Sequence, residues 1–160
     1  MIVVIVASTG KNRELGDRLV SLGQNLGLKM ELIDLCGLNL PLYTPEQEGT
    51  QIPVAAIDFT QRLKKAKGHF YVAPEYNGSV PPSLNNAIAW ASRSGEDWRE
   101  AFNAKPAALA THSGGGGTKV LLAMRQILSH LGMNVFGREI QTNFSKKLNE
   151  KSAEEILGQL

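Results

Sequence analysis

Apolar residues recur along this chain with two periods, and their alternation dictates the architecture. Ile2 to Val6 is a continuous β-branched run, the signature of a parallel strand covered on both faces. After the small, hydroxyl-rich turn Ala7-Ser8-Thr9-Gly10-Lys11-Asn12, Leu15, Leu19, Leu22 and Leu26 return at helical spacing, and Gly27 ends that helix. Lys29 to Leu35 alternates in part and reads as the second strand, completing a β-α-β unit. Cys36 to Pro53 carries three prolines and no sustained period, which predicts a long surface excursion containing Leu40, Leu42 and Tyr43. Val54 to Lys65 returns to helical spacing. Gly68 to Ala73 is a third strand, followed by the loop Pro74-Glu75-Tyr76-Asn77-Gly78-Ser79 and a helix from Ser83 to Ser92 carrying Leu84, Ile88 and Trp90. The polar stretch from Arg93 to Ala104 is expected to close over the surface.

Pro106 to Thr111 is a small, apolar fourth strand, ending in His112 and the run Ser113-Gly114-Gly115-Gly116-Gly117. Thr118 opens a helix whose Val120, Leu121, Met124, Ile127, Leu128 and Leu131 form a core stripe ended by Gly132. Met133 to Val135 with Arg138 to Gln141 makes a short fifth strand or two fragments, and Ala153 to Leu157 a brief last helix. The pattern predicts an α/β fold: a three-layer sandwich on a doubly wound, five-stranded parallel sheet, in one domain over residues 1–160.

Composition narrows the function classes. At 42% hydrophobic and 20% charged residues, the chain matches an ordinary globular protein. A formal net charge of +2 is too small to point to nucleic acid. Lys64, Lys65 and Lys67, and Lys146, Lys147 and Lys151, read as solvated helix ends rather than anion sites. The single cysteine, Cys36, excludes an intramolecular disulfide framework and any multi-cysteine metal site, fits a reducing cytoplasmic setting, and reads as a small buried hydrophobe. The apolar start lacks a basic leader region and is far shorter than the ~20 residues a membrane span needs, so no membrane association is expected.

Chemistry concentrates in three turns. In a right-handed parallel sheet every β-to-α turn lies at the same end of the strands. Ser8-Thr9-Gly10-Lys11-Asn12 offers hydroxyls, an amide and the free N–H groups of a helix start, a cradle for a phosphate, with a plain N-cap as the alternative. Asn77-Gly78 permits positive φ and outward N–H groups, with Pro74 and Pro81 stiffening the ends; a flat ligand edge would suit this turn, as would a purely structural role. Ser113 to Gly117 removes side chains ahead of a helix N-terminus, where the helix dipole favours negative charge; a flexible lid is the other reading. No Walker loop and no G-x-G-x-x-G follows a strand.

At Pro74-Glu75-Tyr76-Asn77-Gly78-Ser79, the following Pro-x-x-Leu-x-Asn-Ala-Ile-x-Trp pattern ending at Trp90, and the Ser-Gly-Gly loop at Ser113, the chain resembles the NADPH-dependent FMN reductase family. These are flavodoxin-like proteins that include quinone, azo and chromate reductases. The likeness runs through nearly the whole chain in order. Two features depart from it: the family's first loop commonly reads G-S-x-R-x-x-S-x-N-x-x-L, whereas this one is shorter and lacks the Arg, and the C-terminus is short. The resemblance implies that Ser8, Thr9, Lys11 and Asn12 hold the FMN phosphate. It implies that Pro74, Glu75, Tyr76, Asn77 and Gly78 line the isoalloxazine ring, and that Ser113, Gly114, Gly115 and Gly116 approach its pyrimidine end.

The activity implied is two-electron transfer from NADPH or NADH to flavin N5 and on to a small-molecule acceptor: a quinone, azo compound, free flavin or metal oxyanion. No protein acid or base is needed for the hydride, so no catalytic side chain is assigned. Leu40, Leu42, Tyr43 and Trp90 suggest a homodimer or homotetramer as in that family. The rival classes are a flavodoxin-like electron carrier and an inactive flavin-binding protein; a slightly basic chain is unlike an acidic carrier. His69 and His130 read as core or cap residues, His112 as positional, Trp90 as packing, and Tyr76 as a ring neighbour or a partner contact.

Overall fold

The apolar runs become central strands because both faces of the sheet are covered. In the computed structural model, which describes residues 1–160, every residue of β1 (Ile2–Val6) and β3 (Gly68–Val72) is buried. Around them lie α1 (Lys11–Asn25), β2 (Met30–Asp34), α2 (Pro45–Thr50), α3 (Val54–Lys65), α4 (Pro82–Ala91), β4 (Pro106–His112), α5 (Thr118–His130), β5 (Asn134–Val135), β6 (Ile140–Thr142) and α6 (Glu150–Leu157). All pairings are parallel, in the order β2-β1-β3-β4-β5. The fifth lane is filled by two fragments: β5 pairs with Pro106 and Ala107 at the start of β4, and β6 with Ala110 to His112 at its end.

Side chains alternate across the sheet with the period of a strand. Val3, Ile5, Tyr71 and Leu109 pack with Phe59, Leu63, Leu84 and Met124 under α3, α4 and α5. Val4, Val6, Phe70 and Ala108 pack with Leu19 and Leu22 of α1 and Ile156 of α6. A Cβ on Gly16 would stand 2.4 Å from Val6 Cγ2, so glycine is what lets α1 settle onto β1. No helix is long and apolar enough to cross a membrane.

Four expectations change. The excursion after β2 contains α2, capped by Thr44 Oγ1 accepting from Gln47 N at 3.2 Å, with Pro45 at its first position. It buries no residue, so it leaves no apolar period to read. The preceding segment is gripped by α4: Asn86 Oδ1 accepts from Tyr43 N (2.8 Å), and Trp90 Nε1 donates to Pro41 O (2.7 Å). Trp90 is thereby fully buried, edge-to-face with Tyr43 at 5.2 Å, and needs no second copy to cover it.

The stretch from Arg93 to Ala104 sinks Ala101 and Phe102 completely into the core. Cys36 is exposed, because Asp34 Oδ1 accepts from Cys36 N (2.9 Å) and Gly37 N (3.2 Å) and turns the chain outward. The Lys64 side chain is only 10% exposed and pairs with Asp97 at 2.5 Å.

His69 lies wholly inside, with Nε2 3.3 Å from Leu63 O and Nδ1 3.1 Å from Tyr71 Oη. Burial pushes its pKa down to about 3. The unfolded chain therefore takes up this proton first. The stabilising contribution is complete above the unfolded value of about 6.5 and declines as pH falls towards 3, by at most ~1.4 kcal/mol per pH unit. Urea midpoints measured from pH 7 to pH 4.5 should fall more steeply for the wild type than for His69→Gln; parallel slopes would show that His69 does not titrate on unfolding.

Candidate functional site

The strand order reverses direction between β1 and β3: the connection from β1 leads to β2 on one side, that from β3 to β4 on the other. A crevice at the carboxyl ends of the strands at such a point is where open α/β sheets take ligands. The turns after β1 and β3 flank it, and the turn after β4 lies next to them.

The first turn is a nest of donors. Gly10 precedes α1 at φ 68° with no side-chain cap, and no N–H from Ser8 through Arg13 is bonded to another backbone group. These N–H groups stand at the positive end of a 15-residue helix, a ready anion site. Ser8 is nearly buried, its hydroxyl donating to Thr9 O at 3.3 Å, and Thr9 is exposed. The Lys11 ammonium lies 2.8 Å from Glu14 in a solvent-exposed pair, a weak interaction that an incoming anion can replace. Asn12 departs from its expected use. Its side chain is buried, with Nδ2 donating to His112 O (2.9 Å) and Oδ1 accepting from His112 N (2.8 Å), so it clamps the first turn to β4 and leaves its backbone N–H for a ligand.

The second turn is a two-residue hairpin. Asn77 and Gly78 have φ of 51° and 73°, and Tyr76 and Ser79 exchange two 3.0 Å backbone bonds, the geometry the Asn-Gly pair favours. The N–H groups of Glu75, Asn77 and Gly78 have no backbone acceptor. Pro74 is buried, and the Tyr76 side chain is half exposed. Ser83, in the first turn of α4, donates to Ala7 O at 2.5 Å and ties this loop to the first.

The third turn leaves Gly114 and Gly115 exposed, and a Cβ on Gly115 would meet nothing within 4 Å. Gly117 is different: at φ 78° its Cβ would lie 2.5 Å from Thr111 Cγ2, so glycine is required there by both backbone and space. Ser113 N donates to Thr142 O (3.1 Å), and the Gln141 amide donates to Gly116 O, which fixes the loop from β6.

All thirteen expected positions thus gather at one edge. Two contributors were missed, Lys119 and Gln141. Glu75 Oε2 accepts from Lys119 N at 3.2 Å, joining the second turn to the start of α5. The Lys119 side chain passes beside Gly78, its Nζ 3.9 Å from where a Cβ would sit. Gln141 comes from β6. A lysine one residue into a helix after a glycine run was the one visible signal; Gln141 had none, because its position depends on the split fifth lane.

His112 Nδ1 carries a proton. Thr142 Oγ1 donates to Thr111 O (3.0 Å) and therefore accepts from His112 Nδ1 (3.1 Å), while Nε2 is buried and without a partner.

Fold and site together define a flavodoxin-like protein with a donor-lined crevice at its switch point. The chain belongs to the NADPH-dependent FMN reductase family, whose model matches residues 1–147. Among its relatives, a NADPH:quinone oxidoreductase of Arabidopsis thaliana is 39% identical over 63% of this chain and 50% of its own length. An NAD(P)H-dependent FMN reductase of Pseudomonas aeruginosa is 34% identical over 68% and 57%, and a 2-hydroxy-1,4-benzoquinone reductase of a Burkholderia species 35% identical over 74% and 64%. The chain thus spans little more than half the length of these curated relatives. In structure it is similar to FerB, a flavoenzyme NAD(P)H:(acceptor) oxidoreductase from Paracoccus denitrificans, with a TM-score of 0.77 at 24% identity over 99% of this chain and 91% of that one. An archaeal flavodoxin shares the fold with a TM-score of 0.65 at 10% identity over 99% and 92%.

Because Gly115 has open space around it and no positive φ, a larger residue there leaves the protein itself undisturbed. Gly115→Leu should melt within about 2 °C of the wild type without ligand. It should weaken FMN binding, titrated by flavin fluorescence quenching, about tenfold or more. Unchanged binding would remove the loop from the site.

Proposed function

We propose that this chain is an FMN-dependent NAD(P)H oxidoreductase acting on quinone-like acceptors. The observation that carries the reading is the convergence, at the switch point, of backbone donors with no protein acceptor: Ser8 through Arg13, then Glu75, Asn77 and Gly78, then Gly114, Gly115 and Thr118. Such a donor set fits a phosphate at one end and the polar edge of a flat heterocycle at the other. Membership in the family and the quinone reductases among the relatives support the same assignment.

FMN, held there, would supply two-electron hydride chemistry between a nicotinamide and an acceptor. The chain's own groups bind and polarise. The nest from Ser8 to Arg13 would hold the phosphate in place of the arginine that the family's first loop commonly supplies. The Asn77-Gly78 turn and the open glycines leave a flat slot. The start of α5, with the N–H groups of Thr118 and Val120 unpaired and the Lys119 ammonium nearby, provides positive potential that stabilises negative charge developing in the slot. The net charge of +2 fits a carrier poorly, since docking carriers present strong acidic fields.

Purified protein titrated with FMN and then given NADPH without oxygen tests this directly. Uptake at micromolar concentration followed by rapid bleaching, with quinone restoring the colour, is expected. Uptake without bleaching would favour an electron carrier, and no uptake an inactive relative.

The same reading includes a second copy of the chain. An apolar hollow of about 630 Å³ lined by Leu42, Tyr43, Val80, Pro82 and Ile88 adjoins the Asn77-Gly78 loop. Through Ile88 it meets another of about 470 Å³, between α4 and α5. Leu42 is 74% exposed, so a dimer across this face would remove it from water. Light scattering should give a dimer or tetramer for the wild type and a smaller species for Leu42→Asp; a monomeric wild type would overturn this part.

A further inference from the structure

The hairpin between β3 and α4 holds a reactive pair of residues. Of the ten asparagines in the chain, Asn77 is the only one followed by glycine. With no Cβ on the following residue, nothing shields its peptide nitrogen from the asparagine side chain. Both partners are free. The Asn77 side chain is exposed and takes part in no hydrogen bond, and Gly78 N has no backbone acceptor. The amides of Asn12, Asn86, Asn134 and Asn149, by contrast, are each held by a hydrogen bond.

Backbone conformation decides when the two meet. Asn77 sits in the left-handed region at φ 51°, where the peptide nitrogen of Gly78 points away from the Asn77 Cβ. Ring closure between them needs that nitrogen rotated to the side-chain face, so the closed hairpin keeps them apart. Only two backbone bonds hold it closed: Tyr76 N to Ser79 O and Ser79 N to Tyr76 O, both 3.0 Å, and Pro74 to Val80 donates no other. A hairpin held by so little opens readily unless something packs on it. Pro74 and Val80 are buried, which confines the opening to the exposed tip. The Lys119 side chain runs alongside, its Nζ 3.9 Å from where a Gly78 Cβ would sit, and a cation there favours the negative charge that builds up on an attacked amide.

We propose that Asn77 is a self-modification site: in the ligand-free chain it converts to aspartate and isoaspartate, and flavin seated in the slot suppresses the change. Gly78 N attacks Asn77 Cγ, the new N–C bond closes a succinimide ring, and the side-chain nitrogen leaves as ammonia with the proton lost from Gly78 N. Water then opens the ring at either carbonyl. One amide and one water become one carboxylic acid and one ammonia, with no change of oxidation state. The product alters the site. It sets a carboxylate beside the slot, and the isoaspartate form adds a main-chain atom to a turn whose pairing is built on two residues. Protection by flavin rests on the reductase reading, while the reaction itself does not. A ligand that binds only the closed hairpin lowers the open fraction by the factor 1 + [FMN]/Kd. The loop therefore ages in chains without flavin and persists in chains that hold it.

Peptide mapping by mass spectrometry of the full chain, incubated at mildly alkaline pH with and without FMN, tests the assignment. Labelling by an isoaspartyl methyltransferase counts the β-linked product. The mass gain of amide-to-acid exchange should appear first in the peptide that contains Asn77, together with released ammonia. It should slow about tenfold at free FMN about ten times the Kd measured by fluorescence quenching, and further in proportion to FMN. Asn77→Gln, whose longer side chain would have to close a larger ring, should show no conversion at this position over the same period. Asn77→Asp brings the charge without the extra main-chain atom, so it should weaken FMN binding less than the isolated isoaspartyl protein does.

If Asn77 stays an amide in the folded, ligand-free protein while the guanidinium-unfolded chain converts at the same pH, the modification site is overturned. Earlier conversion at any other asparagine of the folded chain overturns it too. FMN that binds yet leaves the rate unchanged would overturn the link between the slot and the hairpin. Conversion at Asn77 in a protein that takes up no FMN would instead uphold the modification site and overturn the reductase reading.

Discussion

Two hydrogen bonds between the Asn12 side chain and the backbone of His112, at 2.9 and 2.8 Å, hold together parts of the chain that lie 100 residues apart. They fasten the turn after β1 to the end of β4, and so set the distance between the anion nest and the glycine loop. The amide is buried, where a lost partner costs about 1–3 kcal/mol and water cannot step in. Ser83 to Ala7 and Glu75 to Lys119 complete the set, so each of the three turns is tied to another. A ligand that touches all three meets a surface already arranged, and little ordering entropy is lost on binding.

The two ends of the sheet are treated differently. At the amino edge, backbone groups close on one another: Ile2 N donates to Lys29 O, Lys67 N to Met1 O and Asn134 N to Lys105 O, all at 2.8 to 2.9 Å. At the carboxyl edge, the N–H groups of Ser8 through Arg13 have no backbone acceptor. Helix starts inevitably leave such donors free, and parallel crossovers collect the starts at one edge. The side chains that could have capped them are used elsewhere: Asn12 reaches β4, Ser8 reaches Thr9, and Gly10 and Gly117 carry no polar side chain. An unsatisfied edge in an otherwise satisfied fold is where a ligand gains most from binding.

Elements with a long apolar period were legible, from Ile2–Val6 to the α5 stripe ending at Leu131, because burial on one face imposes that period directly. Elements held by polar contacts were not. Helix α2 buries nothing and is set by Thr44, and Cys36 is turned outward by Asp34. Ala101 and Phe102 are buried within a mostly polar stretch, since a single 3-10 turn is too short to carry a repeating apolar signal. The site followed the same division. Asn77-Gly78 announced its own turn through the φ values it permits, whereas Lys119, Gln141 and the commitment of Asn12 to His112 depend on neighbours far off in sequence.

The sequence by itself therefore determined the strands, the helices that cover them, and the three glycine- and hydroxyl-bearing turns, since each follows from local backbone preference and apolar period. Tertiary structure decided which polar groups are spent and which stay free. It bound Asn12 to β4, left His112 Nε2 without a partner, and placed Lys146 and Lys147 in one groove with Arg18. A hydrogen bond or an ion pair depends on the separation of two groups in space, and the order of residues along a chain does not contain that distance until the sheet has set it.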